Sequence, residues 1–304
     1  MPCGWVWALR QNFSTVRERA SAHANHSGLR RTLIVDFHMH TCCSDGQLSP
    51  KELVDLAVAR GCEQIAITDH DSVAAYAQLA DRVLPMRLIR GCEFSTQWQG
   101  REVHIVGLNL DLQNLALVAG LQSQRNARER RGRRIAELLE KQGFTDAFAG
   151  ASALAAGASL GRPHFARYLV ARGAVPSLQQ AFKRYLGVGK PAYVRTEWAH
   201  LEQICAWIDA AGGIAVLAHP LKYKMTLTKL RSLLVTFKDA GGGAIEVISG
   251  AQQTAQTRQM AMLSKQFQLQ ASVGSDFHQP GQPWAALGRV AQLPDDCAPV
   301  WSNW

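Results

Sequence analysis

The chain has 304 residues, 47% apolar and 19% charged, proportions ordinary for one large globular domain or two smaller ones with a sizeable core. No apolar run approaches the roughly 20 residues needed to cross a bilayer, and the Trp-rich GWVWAL near the start is too short for a signal peptide, so the expected setting is the cytoplasm with no membrane involved. Seven cysteines, an odd number with Cys42 and Cys43 adjacent, suit a reducing compartment rather than a disulfide framework, and the net charge of +9 is concentrated in residues 1–31 and 121–141, leaving the remainder close to neutral.

Residues 1–31 show no sustained period and few acids, and read as a disordered basic extension in preference to a nucleic-acid-binding arm. From Thr32 the chain becomes regular. LIVDFHMH (33–40) reads as a strand; in LSPKELVDLAVARG, Ser49 is an N-cap, Pro50 opens the helix, Glu52 completes a capping pattern and Gly61 follows the end. QIAITDHD is a buried strand ending in His70, a helix is expected over 72–83, and RLIRGCEFST and EVHIVGLNL are two more strands. Residues 113–199 read as helices without a convincing strand, a helical substrate-binding subdomain inserted between 32–112 and 200–304. Alternation then resumes with a helix over 200–211, GIAVLAHP, a helix over 226–240, AIEVISG, a helix over 254–269 and QASVGSDFH.

Seven strands alternating with helices argue for a parallel α/β sheet or barrel, whose chemistry sits at the carboxyl ends of the strands. The polar residues are there. His38 and His40 end the first strand, Asp45 lies in the loop after it, and His70, Glu93, His104, His219, Asp276 and His278 follow at or near later strand ends. An isolated His-x-His is more often two half-buried histidines hydrogen-bonded at a sheet end. Six histidines and three carboxylates at one rim are too many like groups to hold together without cations. A carboxylate such as Glu93 can bridge two ions, and the donor mixture suits Mn²⁺, Zn²⁺ or Fe²⁺, with Mg²⁺ also compatible. No GxSxG motif and no P-loop occurs, so no covalent nucleophile or nucleotide-cradling loop competes for the chemistry.

Within the insertion, Leu117, Leu121, Ile135, Leu138 and Leu139 share one helical stripe with Arg128 and Arg131, while Arg130 and Arg133 face the other way. Two guanidiniums on an apolar stripe need anionic partners, either structural carboxylates or a substrate phosphate. GRPHFARYL offers a second candidate anion site, because Pro163 marks a helix start whose free N–H groups would lie beside Arg162 and His164; an ordinary helix start is the alternative. Lys222 and Tyr223 follow His219 and could line the mouth of the pocket.

The ordered set His-x-His, Asp, ITDHD, GCEFST, a single His, AHP and GSDFH resembles the polymerase-and-histidinol-phosphatase (PHP) superfamily of metal-dependent phosphoesterases over residues 33–290, with all nine ligand positions filled. The insertion and GRPHFARYLV look most like the bacterial branch that removes the 3′-phosphate from nucleoside 3′,5′-bisphosphates and acts as a 5′-3′ exoribonuclease. The resemblance implies a distorted seven-stranded (β/α) barrel with an inserted helical subdomain and a cluster of three ions, usually manganese. It implies that His38, His40, Glu93 and Asp276 hold one ion, Glu93, His104 and His219 a second, and Asp45, His70 and His278 a third. A water activated by the first two sets would be the nucleophile. The same resemblance favours phosphate as the partner of Arg128, Arg131, Arg162 and His164, with Asp45, His70 and Lys222 also near the substrate, either a nucleoside bisphosphate or a 5′-monophosphorylated RNA. No obligate protein partner is indicated, and the N-terminal extension departs from the family pattern. The competing readings are a histidinol-phosphatase-like phosphomonoesterase, a DNA proofreading exonuclease, for which no polymerase segments are present, and a non-catalytic RNA-binding module, which a complete ligand set argues against.

Overall fold

Short β-branched runs bounded by helix signals form the strands β1 (Val35–Asp36), β2 (Gln64–Ile67), β3 (Arg87–Trp98), β4 (Arg101–Leu108), β5 (Ile214–Leu217), β6 (Ala244–Ser249) and β7 (Gln270–Gly274). The computed structural model describes residues 33–302 and 304; the expected extension over 1–31 lies outside them. The strands hydrogen-bond in chain order into one seven-stranded sheet. Its two ends meet where the chain beyond β1 pairs with β7 and its continuation, through Phe37 N to Val273 O at 3.0 Å, Asp276 N to His38 O at 2.8 Å and His40 N to Phe277 O at 2.8 Å. The result is the expected seven-stranded barrel.

Two features differ from the sequence-based expectation. β4 runs antiparallel to both β3 and β5, because only Gln99 and Gly100 join it to β3. Both of those residues have positive φ (46° and 75°), the geometry of a tight hairpin, and two residues cannot make the crossover a parallel pair requires. The helix expected over 72–83 is a single turn, α2 (Ala74–Ala77). The Tyr76 hydroxyl donates to Ile67 O (2.6 Å) and accepts from Gly91 N (2.6 Å), which ties this turn to β2 and β3. The following residues close four-residue turns, Leu79 N to Tyr76 O and Arg82 N to Leu79 O, instead of extending the helix.

The first helix, α1 (Pro50–Ala59), starts as its sequence dictates: Ser49 N donates to Glu52 Oε2 at 2.8 Å and Glu52 N donates to Ser49 Oγ at 3.3 Å. After β4 the chain runs through α3 (Leu115–Glu140), α4 (Ala147–Ala155), α5 (Arg162–Ala171) and α6 (Leu178–Ala181), which continues as a π-turn over Phe182–Leu186. No strand falls within 113–199. The barrel helices α7 (Leu201–Ala210), α8 (Leu227–Asp239) and α9 (Thr254–Gln266) complete the wall. Among the described residues no helix is long and apolar enough to cross a membrane.

Three apolar clusters hold these parts together. The largest packs Ile204, Ile208, Leu233, Phe237 and Met260 of the wall helices against Phe94, Val216 and Ile245 of the sheet. A second seats Leu53 and Val54 of α1 on Ile65 and Ile67. A third joins Ile135 and Leu139 of α3 to Phe165 and Leu169 of α5 and to Leu186. Full burial of each such side chain stabilises by about 1.5–3 kcal/mol. With the apolar side chains packed in these layers, the carboxyl-end rim of the barrel is free for polar groups.

Candidate metal centre

The barrel brings all nine ligand-type side chains to one rim. His38 and His40, two residues apart on the continuation of β1, are both fully buried and face inward. Glu93 lies on β3 beside His70, with which it makes an isolated bridge, and His104 comes from β4. His219 and Asp276 follow β5 and β7 on backbone with φ of 28° and 55°, a left-handed conformation that costs about 1–3 kcal/mol and is characteristic of functional sites.

Distances divide the cluster into sets around Glu93. His38 Nε2 lies 3.3 Å from Glu93 Oε2 and 3.5 Å from Asp276 Oδ1, and His40 Nε2 lies 3.3 Å from each of the same atoms. Donors about 2.1 Å from a tetrahedral ion stand about 3.4 Å apart, so these four atoms have the spacing of a coordination shell. The other glutamate oxygen, Oε1, lies 2.9 Å from His104 Nδ1 and 2.8 Å from His219 Nε2. Asp45 Oδ2 stands 3.8 Å from His70 Nε2, and Asp45 Oδ1 stands 3.4 Å from His278 Nε2.

The partition implied by family resemblance is altered at its edges. His40 also belongs with Asp45, His70 and His278; His104 groups with His70 and Glu93, and His219 with His38 and Glu93. The sets overlap because the two Glu93 oxygens are shared among five imidazoles.

The donor set fits divalent cations. His38 Nε2, both His40 nitrogens, His70 Nδ1, His219 Nδ1 and Glu93 Oε2 are buried without a hydrogen-bond partner, a large cost unless they ligate. Burial alone would raise the Glu93 carboxyl, but the imidazoles of His70, His38 and His104 override it and hold the group well below the usual carboxylate range. Burial likewise opposes ionisation of Asp276 and Asp45, yet His38 and Lys222 hold the first down, and His278 and His70 the second. His40 is pushed down to about 3 by burial and by the neighbouring His278, which leaves it the neutral imidazole that binds metal.

Several residues that the sequence did not single out position these candidate ligands. Glu246, buried on β6, accepts a 2.5 Å hydrogen bond from His38 Nδ1 and a 2.6 Å bond from His219 N, so one carboxylate orients two ligands. Asp69 accepts from Thr41 N (2.7 Å), Thr41 Oγ1 (2.6 Å) and Ser44 Oγ (2.6 Å), fixing the loop that presents Asp45. Asp36 accepts from Ser275 N (2.8 Å) and Gly288 N (2.9 Å) beside the β7 end. The available signal was a lone carboxylate inside an apolar strand, as in AIEVIS and LIVDF.

The residues expected to meet substrate are engaged by the protein itself. Arg128 is buried against Asp71, with Nη2 and Nε at 2.6 and 2.7 Å from Oδ2, and Nη2 also reaches Ser95 Oγ at 2.8 Å. Arg131 Nη1 lies 3.4 Å from Glu102 Oε1, and Arg162 Nη2 lies 2.6 Å from Glu102 Oε2. Both buried arginines also lie over the Trp198 ring, at 5.2 and 5.3 Å from its centre. Burial would raise the Glu102 carboxyl, but Arg131 and Arg162 hold it down at about 2. Structural carboxylates are thus the partners found for the inward arginines, because Asp71 and Glu102 supply them from the barrel. At the expected open start of α5, His164 Nδ1 accepts the Gly161 N–H at 3.0 Å, so that ring nitrogen is engaged by the protein's own backbone. Lys222 contacts the Asp276 carboxylate, and the Tyr223 hydroxyl accepts from His104 N at 2.9 Å. Arg130 and Arg133 are exposed, as their side of the helix predicts.

The imidazoles and carboxylates gathered around Glu93 would hold divalent cations, which supply activated water and charge neutralisation for phosphate-ester hydrolysis without a covalent nucleophile, and the class so defined is a metal-dependent phosphoesterase. The chain belongs to the PHP domain family, which matches residues 36–195. It is 47% identical over 270 residues to a 5′-3′ exoribonuclease of Haemophilus influenzae, covering 88% of this chain and 98% of that one. It is 41% identical over 272 residues to a 3′,5′-nucleoside bisphosphate phosphatase of Chromobacterium violaceum, covering 88% and 95%. Its fold is similar to the solved structure of an amidohydrolase from Chromobacterium violaceum with bound sulfate and no metal, at a TM-score of 0.79 and 40% identity over 88% of this chain and 94% of the other.

Proposed function

We propose that this protein hydrolyses the 3′-phosphate of nucleoside 3′,5′-bisphosphates and, by cleaving the same type of bond, releases 5′-mononucleotides from the 5′ end of RNA. The observation that carries the reading is Glu93, whose two oxygens are divided between two sets of imidazoles. The two relatives, named for these two activities, support the choice of substrate. Divalent cations, three of them and manganese by preference over zinc, iron or magnesium, would lower the pKa of bound water and neutralise the phosphoryl oxygens. His38, His40, Glu93, His104, His219 and Asp276 form the reacting centre, and Asp45, His70 and His278 the third set. Lys222, on Asp276, adds positive charge where phosphoryl oxygens enter.

One bond cleavage accounts for both activities. Water oxygen joins phosphorus and the bond from phosphorus to O3′ breaks, so a 5′-mononucleotide leaves in either case. In RNA the phosphate stays on the next nucleotide and regenerates a 5′-phosphorylated end. A cytoplasmic setting, expected from cysteine usage, belongs to the same proposal.

The test is phosphate release from adenosine 3′,5′-bisphosphate and mononucleotide release from 5′-phosphorylated RNA, with histidinol phosphate as the comparison. Asp276→Ala is expected to abolish turnover on all of them and on a generic aryl phosphate, because it removes a ligand of the reacting centre. Turnover of histidinol phosphate without turnover of the nucleotide would overturn the assignment.

A further inference from the structure

The insertion packs on segments that belong to or follow β2, β3 and β4, through Arg128 on Asp71 and Ser95 and through Arg131 and Arg162 on Glu102. The carboxyl ends of β6 and β7 are met instead by a short loop, QPGQPWAA over 279–286, which begins directly after His278. Trp284 in this loop is 61% exposed, and no other Phe, Tyr or Trp among the described residues is exposed. The remaining exposed large apolar side chains are aliphatic or methionine. An indole carries more apolar area than any of them, so leaving it in water sacrifices the burial that Trp ordinarily gains.

The backbone beneath the ring is fixed. Trp284 sits in a single 3₁₀ turn, Pro283–Ala285, where Ala285 N donates to Gln282 O at 3.2 Å and Ala251 N donates to Trp284 O at 2.8 Å. Gly250, just after β6, has φ of 60° and donates from its N to Gly274 O at 2.7 Å. A Cβ on Gly250 would lie 2.4 Å from Trp284 O and 3.2 Å from Ser275 O. One glycine therefore separates the carbonyl of Trp284 from that of the residue before Asp276, and the ring is carried on backbone adjoining the reacting centre. Asp276 in turn contacts Lys222, whose side chain is half exposed.

A single rigid ring bordered by the polar Gln282 is too small for a protein interface, which needs about 1,000 Å², but it matches the face of one nucleobase. Lys222 places positive charge nearby for the phosphate that accompanies a base. The two substrates given above differ in what such a ring could reach. A nucleoside 3′,5′-bisphosphate ends at the phosphoryl group that is cleaved, whereas RNA continues past it into a further nucleotide.

We propose that Trp284 is the stacking surface for the base of the RNA nucleotide immediately 3′ of the cleaved bond. The proposal rests on the function given above and assigns to one residue a selectivity that only RNA can use.

The experiment uses metal-loaded protein and two 5′-phosphorylated oligoribonucleotides, one with adenine and one with no base at the second nucleotide. The readout is the ratio of kcat/KM on the two strands. Each variant supplies this ratio for itself, so a loss of metal or of folded protein cancels. Wild type is expected to favour the base-bearing strand about fivefold or more, the scale of one stacked base. Trp284→Ala should bring the ratio close to one, chiefly through KM, and Trp284→Phe, which keeps a ring, should retain part of it. Val83→Ala removes another exposed apolar side chain and should match wild type. A ratio of one in wild type, or a ratio unchanged in Trp284→Ala, would overturn the proposal; a lower sedimentation mass of that variant would then assign the ring to contact between copies of the chain. Were wild type to cleave neither strand, the RNA half of the proposed function would fall. The stacking surface is then read from binding alone, by fluorescence anisotropy of a labelled single-stranded oligoadenylate: weaker binding in Trp284→Ala supports it and equal binding overturns it.

Discussion

Glu246 shows how one buried carboxylate sets the chemistry of a neighbour. It pairs with His38 Nδ1, the arrangement in which Nε2, aimed at Glu93 and Asp276, would be free to ligate, and it holds the backbone that delivers His219. Glu246→Gln keeps the volume and removes the charge that faces this nitrogen. Metal affinity is expected to fall about 10–100-fold, as for other positioning partners of metal ligands, with the fold intact. Competition with a chelating dye measures it, and unchanged affinity would assign Glu246 to packing alone. Gly274 has a different necessity: a Cβ there would lie 2.2 Å from His38 Cβ and 2.9 Å from His38 N. Gly274→Ala is therefore expected to displace His38, costing about 1–3 kcal/mol by overpacking along with metal content. Thermal unfolding and elemental analysis of the same sample would show both losses, and a stable variant with a full metal complement would refute the argument.

The element that joins the insertion to the barrel is α3. Its first half meets the wall through Gly120, where a Cβ would come 2.4 Å from the Trp207 ring, so the helices can approach only because that side chain is missing. Farther along, Gln124 donates to Asp71 Oδ1 (2.8 Å) and Ser95 O (2.6 Å), and Arg128 closes on Asp71. Asp71 accepts from Ser95 N as well, at 2.9 Å, and has φ of 48°, so the barrel holds it rigidly in place for the helix. Arg128→Ala would leave this carboxylate buried and unpaired, at an expected cost of about 3–5 kcal/mol. Arg130→Ala, one turn face away in solvent, is expected to stay within about 0.5 kcal/mol of wild type. Urea unfolding of the two variants distinguishes an anchoring ion pair from a general effect of lost charge; equal stabilities would reject the anchor.

For the molecule as a whole, the centre is also a structural element. Three carboxylates and six imidazoles face one another at a rim that closes the two ends of the barrel, since His38, His40, Asp276 and His278 lie on the segments that pair beyond β1 and β7. Ions that bind only the folded chain stabilise it by mass action, by about 2.7 kcal/mol when free ion exceeds its dissociation constant a hundredfold. Chelation is expected to lower the calorimetric melting temperature, and added Mn²⁺ to restore it. A melting temperature indifferent to both would mean that the closure of the barrel does not depend on the ions.

Much of this was legible in the chain. The Ser49 cap, the strand ends and the nine ligand-type side chains depend on residues close together in sequence, and a barrel places the carboxyl ends of its parallel strands at one rim, so strand order alone forecasts a cluster; His104, inside the antiparallel β4, joins it only in the folded chain. The arginine stripe showed that anions must face Arg128 and Arg131, but not whose. The answer lay in Asp71 and Glu102, contributed by distant barrel segments. Tertiary structure likewise decided that Glu93 shares its oxygens among five imidazoles, that Glu246 serves two ligands from a strand whose period marks it only as buried, and that α2 stops after one turn. In each case the deciding partner is far away in sequence, and pairing in a buried, low-dielectric space is set by which groups the fold brings within reach, not by local propensity.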